Sequence, residues 1–205
     1  MTHSVIEVYA DVGCPFTHVG LRRFVARRAE AGRTDVSLWV RSWPLELVNG
    51  KPLDPHFIAE EVDEIRDQVA PELFAGFRAE TFPSSSLPAL ALATAAYDVG
   101  MDVGEQISLE LRDLLFEHGR DVADPAVLAE LAGRHGVDYE PDDLGAVLDD
   151  QAEGERRGVI GSPHYFTPAG SFFCPALDVS RDDHGQLVVM ADPAAFDTFV
   201  ASCLA

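Results

Sequence analysis

Asp11-Val12-Gly13-Cys14-Pro15-Phe16-Thr17-His18 joins an apolar alternating run, Val5 to Val12, to a segment of helical periodicity. Gly13 ends the strand pattern, Cys14 takes the N-cap position, and Pro15 takes the first helical position, where a missing amide removes no hydrogen bond. A thiolate at a helix start accepts orphan amide bonds and feels the positive helix end. That setting lowers a cysteine pKa from about 8.5 toward a range of about 3.5 to 7.5 and makes it a nucleophile. The competing reading is a small buried cysteine filling a core gap. A core filler needs neither the preceding glycine nor the following proline, so the nucleophile is the stronger reading.

Outward from this stretch, Val19, Phe24 and Val25 form the inner face of the first helix, while Arg22, Arg23, Arg27 and Arg28 solvate the rest. A second strand runs over Val36 to Trp43, so the opening 45 residues or so read as β-α-β, with parallel strands and a right-handed crossover. Trp43-Pro44 closes that strand, with Trp43 in the core or walling a groove. From about Pro52 to Arg157 the periodicity is helical, with starts expected at Asp54-Pro55, Asp124-Pro125 and Glu140-Pro141. Phe57, Ile58, Val62, Ile65 and Val69 make the inner face of the first of these helices. Others are expected over Pro88 to Val99 and Glu105 to His118.

Strand chemistry returns at Pro163 to Thr167, turns through Pro168-Ala169-Gly170 and resumes over Phe172 to Val179. Leu187 to Met190 extends the sheet, and Asp192-Pro193 opens a last helix with Phe196, Phe199, Val200, Cys203 and Leu204 on one face. The organisation is β-α-β, helical insertion, β-β-α. It divides into residues 1–50 with 158–205 as an α/β domain and 51–157 as an inserted all-helical domain.

Composition narrows the function. With 205 residues, 47% hydrophobic and 24% charged, the chain is neither disordered nor too short for a core. Three cysteines exclude a disulfide scaffold and leave at least one thiol unpaired within the monomer. A formal charge of -20 repels phosphate backbones and anionic lipid, which argues against nucleic acid and membrane partners. No stretch reaches the roughly 18 apolar residues of a membrane span, and the amino terminus lacks the pattern of a secretory signal. Read as a full natural chain, it is expected in the cytoplasm. Lys51 is the single lysine among 15 basic residues, a bias that GC-rich coding produces.

A second segment bears on Cys14. Gly158-Val159-Ile160-Gly161-Ser162-Pro163-His164-Tyr165-Phe166 puts a proline at the first residue of a strand. Pro163 is either an ordinary trans edge proline or a cis proline that exposes the Ser162 backbone to a ligand or disulfide. Strand, Cys-Pro-x-x at a helix start, second strand, helical insertion, then Gly-Val-x-Gly-x-Pro-x-x-Phe leading into β-β-α resembles the DsbA-like branch of the thioredoxin superfamily. The resemblance covers nearly the whole chain and is strongest to the cytoplasmic FrnE-like and polyketide-associated members. It implies a thioredoxin-like fold with an inserted helical domain roofing a substrate groove. It also implies that Ser162 and Pro163 sit against Cys14 and hold the substrate.

The sequence departs from that family where a second cysteine is usual, because the fourth motif residue is Thr17. Thr17 can offer a hydroxyl to the Cys14 sulfur but cannot resolve a mixed disulfide. The chemistry implied is monothiol: Cys14 attacks a protein disulfide, a small-thiol adduct or an electrophile, and an external thiol, glutathione or mycothiol, releases it. No obligatory cofactor is expected. Cys174, on the strand beyond Pro163, is a possible secondary thiol. The resemblance implies that the Pro163 strand lies between the strands of Cys14 and Cys174. That sets the two about two strand spacings apart, roughly 9 to 10 Å against the about 7 Å of a disulfide. A packing or substrate-proximal role is therefore the stronger reading than direct pairing.

Pro15, Phe16 and His18 complete the helix start; His18 either tunes Cys14 or lies on the helix surface. His164 is expected on the opposite face of its strand from Pro163. No His or Cys pair has zinc-ligand spacing, so no metal is expected. Kappa-type glutathione transferases and hydroxychromene-carboxylate isomerases share this architecture with Ser-Pro at the corresponding helix start, so thiol transfer or isomerisation is an alternative, as is a non-catalytic binding protein. The sequence leaves substrate and oligomeric state open.

Overall fold

The computed structural model describes residues 3–205. Strand β1 (Ser4–Ala10) alternates as its sequence requires, with Ile6, Val8 and Ala10 buried in the main core and Tyr9 turned to the other face with Trp43 and Val159. Helix α1 (Pro15–Glu30) packs Val19, Leu21 and Phe24 into that core and returns the chain to β2 (Val36–Ser42). The β1–β2 pairing is parallel from Ser4↔Val36 to Ala10↔Ser42. After the helical block come β3 (His164–Thr167) and β4 (Gly170–Phe173), which give one sheet of order β2-β1-β3-β4 with β3 antiparallel to both neighbours.

Between β2 and β3 lie α2 (Leu45–Val48), α3 (Pro55–Gln68), α4 (Leu87–Val99), α5 (Met101–Phe116), α6 (Pro125–His135) and α7 (Gly145–Arg157). Their side chains cover the open edge of β2. Its outward amides at Leu38, Val40 and Ser42 donate to Glu105 (2.7 Å), the Tyr97 hydroxyl (2.8 Å) and Asp150 (2.8 Å) respectively. An edge whose donors are satisfied this way offers no template to another strand, and the same bonds fix the helices against the sheet. Among the described residues no helix is long and apolar enough to cross a membrane.

The Asp54 and Asp124 starts are real caps, each side chain accepting the amide two residues on. The Glu140-Pro141 start is not one, since α7 begins at Gly145, whose amide donates to Asp143. A glutamate is not among the short side chains that favour the N-cap position, because it must bend back a further methylene to reach the same amide. The run Phe172 to Val179 is broken as well. Cys174 adopts φ +42° and Pro175 has no amide to donate, so the ladder stops. The chain leaves the sheet as β5 (Leu177–Arg181), which pairs only with β6 (Leu187–Ala191) in a separate two-stranded sheet. Leu187 to Met190 therefore does not extend the main sheet. Helix α8 (Pro193–Leu204) closes the core with Phe196, Phe199, Val200 and Cys203.

Two faces differ from expectation. Phe57 is exposed, not packed inside α3. Arg28 does not solvate α1; it is largely buried in an ion pair with Glu105.

Candidate functional site

Cys14 caps α1 in an extended conformation with Pro15 behind it, and only 4% of its surface is exposed. Beside it the Ser162–Pro163 peptide is cis, and the Cys14 thiol donates to the Ser162 carbonyl at 3.2 Å. The Ser162 hydroxyl accepts the Asp11 amide (2.9 Å) and lies 2.7 Å from the Thr17 hydroxyl, so the helix start and the proline loop are bonded at three points. A Cβ on Gly13 would stand 3.0 Å from Leu53 and 3.1 Å from Phe82, which places those two side chains as a roof against the Cys14 loop.

The electrostatics correct the sequence reading of Cys14. The Cys14 side chain does not make the N-cap hydrogen bond, and its S–H points to a carbonyl, which favours the protonated form. Burial pushes the thiol pKa up, the Thr17 and Ser162 side chains and the Thr17 amide draw it partly back, and the nearby Glu61 carboxylate adds to the rise. The helix start does not lower this pKa, because desolvating an anion outweighs a few hydrogen bonds.

Asp11 is the hub beneath the thiol. Fully buried, its carboxylate accepts from the Gly13 amide (2.7 Å), the Leu45 amide (2.7 Å) and the Ser86 hydroxyl (3.0 Å), tying the Cys14 loop to α2 and the start of α4. Burial raises its pKa against those bonds. Arg112 of α5, 1% exposed, donates to the Asp11 carbonyl at 3.1 Å and to the Ser108 carbonyl at 2.6 Å. Neither residue was singled out from the sequence. Asp11 stands inside the quoted stretch, where an aspartate two residues before a glycine amide is a visible turn signal. Arg112 carried no signal, since an arginine in an amphipathic helix reads as solvent-facing.

His18 is neither on the surface nor against the thiol. It is 1% exposed, packed on Phe74 and Phe116, with Nε2 2.7 Å from Glu117. Burial would raise the Glu117 pKa, but His18 and the Phe74 and Ala75 amides hold it down at about 2. A carboxylate with a depressed folded pKa stabilises fully above its unfolded value and loses that contribution as pH falls toward the folded one. In urea unfolding, wild type should therefore exceed Glu117→Gln most at pH 6, and the gap should narrow from about pH 4.5 downward. A gap independent of pH would show that packing alone holds this corner.

Pro15 is buried and Phe16 packs at the core margin. Cys174 donates its amide to the Pro163 carbonyl (3.0 Å), so it lies beside the proline loop. Burial, then the neighbouring Cys14, push its thiol up to about 12. All three cysteines are free and buried. His164 takes the Ile160 amide on Nδ1 (3.2 Å) and stacks on Phe166, a loop-bracing position. Trp43 is a core residue. Among the described residues no group of three His, Cys, Asp or Glu side chains is placed to hold a metal.

No curated protein sequence matches the chain. Among solved structures it is similar to the cytosolic disulfide reductase DsbM from Pseudomonas aeruginosa, at 16% identity and TM-score 0.62 over 96% of this chain and 97% of that one. The same protein solved with GSH aligns at 14% identity, TM-score 0.60 and the same coverage. A putative protein disulfide isomerase from Nitrosomonas europaea aligns at 15% and 0.64, covering 96% and 95%. A 2-hydroxychromene-2-carboxylate isomerase aligns at 10% and 0.57, covering 82% and 88%. These likenesses are of fold. A family model, the DSBA-like thioredoxin domain, matches residues 5–181. That span runs from β1 to β5 and takes in Cys14, the Ser162–Pro163 loop and every helix between them, and the chain belongs to the DSBA-like thioredoxin domain family.

Proposed function

We propose that this protein is a monothiol thiol–disulfide oxidoreductase working through Cys14, in the reducing direction. The observation that carries the reading is the Cys14 thiol bonded to the Ser162 carbonyl with Thr17, not a second thiol, on the same turn of α1. Cys14 gives up its proton and its thiolate attacks one sulfur of a substrate disulfide. An S–S bond forms to Cys14, and the other sulfur leaves as a thiolate and takes up a proton. An external thiol of the glutathione or mycothiol class then attacks the mixed disulfide and restores the Cys14 thiol. The net change is exchange of the substrate disulfide for one carrying the external thiol. A neighbour of this fold has been solved with GSH, which supports that class of partner. Such chemistry suits the reduced thiol pool of the cytoplasm.

The raised Cys14 pKa supports the reducing direction. Strong oxidants of this superfamily stabilise their reduced form as a thiolate. Cys14 is buried with its S–H on a carbonyl, so its reduced form has no such advantage and its disulfide is the worse oxidant. The cost in rate is moderate. Each unit of rise cuts the thiolate fraction tenfold, while the intrinsic nucleophilicity recovers about threefold. Two measurements test the reading. Alkylation of Cys14 by iodoacetamide should rise with pH through an apparent pKa above the free-thiol value of about 8.5, and intact mass after exposure to oxidised glutathione should show one adduct, at Cys14. A rate plateau below pH 7 would reverse the direction, and no adduct would end the reading.

One observation favours a second reading. A protonated Cys14 that donates a hydrogen bond can orient the thiolate of a bound cofactor, as a hydroxyl would, and act in transfer or isomerisation without becoming covalent. That activity survives Cys14→Ser.

A further inference from the structure

The two edges of the main sheet are built differently. At β2 the outward amides are taken by Glu105, Tyr97 and Asp150. At β4 they are not. The Cys174 amide donates to the Pro163 carbonyl, and the register continues as His164↔Phe173, Tyr165↔Phe172 and Phe166↔Ser171. Bonded and non-bonded pairs alternate along an antiparallel ladder, so Tyr165↔Phe172 is bonded, while Ser171 and Phe173 turn their N–H and C=O groups away from β3. Those four groups have no hydrogen-bond partner among the described residues, and both residues are exposed. β4 carries no charged side chain and no proline, two devices that block such an edge.

This edge ends at the loop that holds the thiol. The Phe173 ring lies against that loop, 2.6 Å from where a Cβ on Gly161 would stand, yet half of the residue is exposed. Gly161 precedes Ser162, whose carbonyl takes the Cys14 thiol, and Cys174, which follows Phe173, is bonded to Pro163. Ile160, on the same loop, is 72% exposed. A strand laid on β4 would stand three strand spacings from β1, about 14 Å, which about four or five extended residues span. One chain can therefore pair with β4, cross the apolar side chains of Phe173 and Ile160, and bring a sulfur to Cys14.

We propose that the free edge of β4 takes an extended segment of a polypeptide substrate by strand addition, and that the disulfide attacked by Cys14 lies about four or five residues from the paired segment. The proposal rests on the thiol–disulfide reading of Cys14 and adds the substrate class, a disulfide carried by an extended or unfolded polypeptide. The exchange itself is unchanged, with one S–S bond broken and one formed. A second copy of the chain is the poorer occupant. Two molecules of charge -20 repel each other, and a four-residue edge is small against the roughly 1,000 Å² that a stable interface buries.

The rate of mixed-disulfide formation at Cys14 is measured with two disulfides. One is a Val/Thr-rich peptide of zero net charge, its single cysteine about five residues beyond the strand-forming stretch and bonded to 2-mercaptoethanol. The other is bis(2-hydroxyethyl) disulfide, which has no backbone. The peptide should react roughly tenfold faster or more, the effect of about two net backbone hydrogen bonds. Ser171→Pro removes an outward N–H and no ladder bond, so the ratio should fall severalfold while the rate on bis(2-hydroxyethyl) disulfide holds. Ser171→Ala keeps the N–H and should keep the wild-type ratio. Methylating the peptide amides one at a time leaves the protein untouched, and should slow reaction at every second residue of the strand-forming stretch and not at those between. A ratio near one in wild type, or methylation effects without that alternation, overturns the proposal. If Ser171→Pro does not fold, the methyl series alone decides.

A second arm uses the same peptide with serine in place of its cysteine. It should shift the amide resonances of Ser171 and Phe173 saturably in wild type. Those shifts without reaction of any disulfide would leave the strand site standing and remove the thiol reading. Reaction of both disulfides at equal rates without those shifts would do the reverse. A dimer in sedimentation that Ser171→Pro converts to monomer, with no shifts from the peptide, would assign the edge to a second copy and overturn the proposal.

Discussion

Cys14→Ser should form no mixed disulfide with oxidised glutathione, and its disulfide-reducing rate should drop to the buffer background, a loss on the order of 10³-fold or more. The reason is chemical. Cys174 and Cys203 are free, but both are buried with thiols pushed up to about 12, so neither supplies a thiolate at neutral pH. The fold should tolerate the change, because serine keeps a donor for the Ser162 carbonyl and is slightly smaller in a site bonded through Thr17 and Asp11 as well. Unfolding curves and circular dichroism close to wild type would separate lost chemistry from lost structure. The same variant decides between the two readings of the site. An isomerase or transferase activity that persists at wild-type rate in Cys14→Ser would mean that the residue orients a cofactor thiol and is not itself the nucleophile.

Asp11→Ala should lower the unfolding free energy by about 3 to 5 kcal/mol, the cost of breaking a buried charged network. The substitution strands the Gly13 and Leu45 amides, leaves the Ser86 hydroxyl only its longer bond to Glu46, and removes a carboxylate whose charge favours the buried Arg112 guanidinium. Asp11→Asn keeps the shape but not the acceptors. Whichever way its amide turns, an –NH₂ group faces either the Gly13 or the Leu45 N–H, so at least one donor is unpaired, at about 1 to 3 kcal/mol. The order wild type, Asn, Ala in urea unfolding checks this. Loosening the Gly13–Cys14 loop should also open the thiol, so Cys14 in Asp11→Asn should react faster with an aromatic disulfide reagent under native conditions. Unchanged reactivity together with unchanged stability would mean that the network is redundant with the Ser162 and Thr17 bonds.

How far the sequence reached differs between backbone and site. The alternation in Ser4–Ala10 and Val36–Ser42, the caps at Asp54 and Asp124 and the Cys14-Pro15 helix start are local signals, and the elements formed where those signals stand. The errors have local causes too. Glu140 has too long a side chain for a compact cap, and Cys174-Pro175 breaks a run of apolar residues that alternation alone makes continuous. His18 was legible as part of the site stretch. Its role was not, because Glu117 is 99 residues away and only the packing of α5 onto α1 brings the two together. The same holds for Arg112 and Glu61, each a charged residue of an amphipathic helix until the fold buries it.

The sequence by itself determined the order of elements, the cysteine at a helix start and the absence of a second thiol on that turn, because these depend on capping, periodicity and residue identity over a few positions. Only the tertiary structure decided the state of that cysteine. A helix start stabilises a thiolate when its amides reach the sulfur in a setting that solvates charge. Here the sulfur is buried, its S–H is held by the Ser162 carbonyl, and desolvation pushes its pKa up. Desolvation is a property of everything packed around an atom, contributed by α1, the proline loop and the helical block together, and no window of sequence contains it.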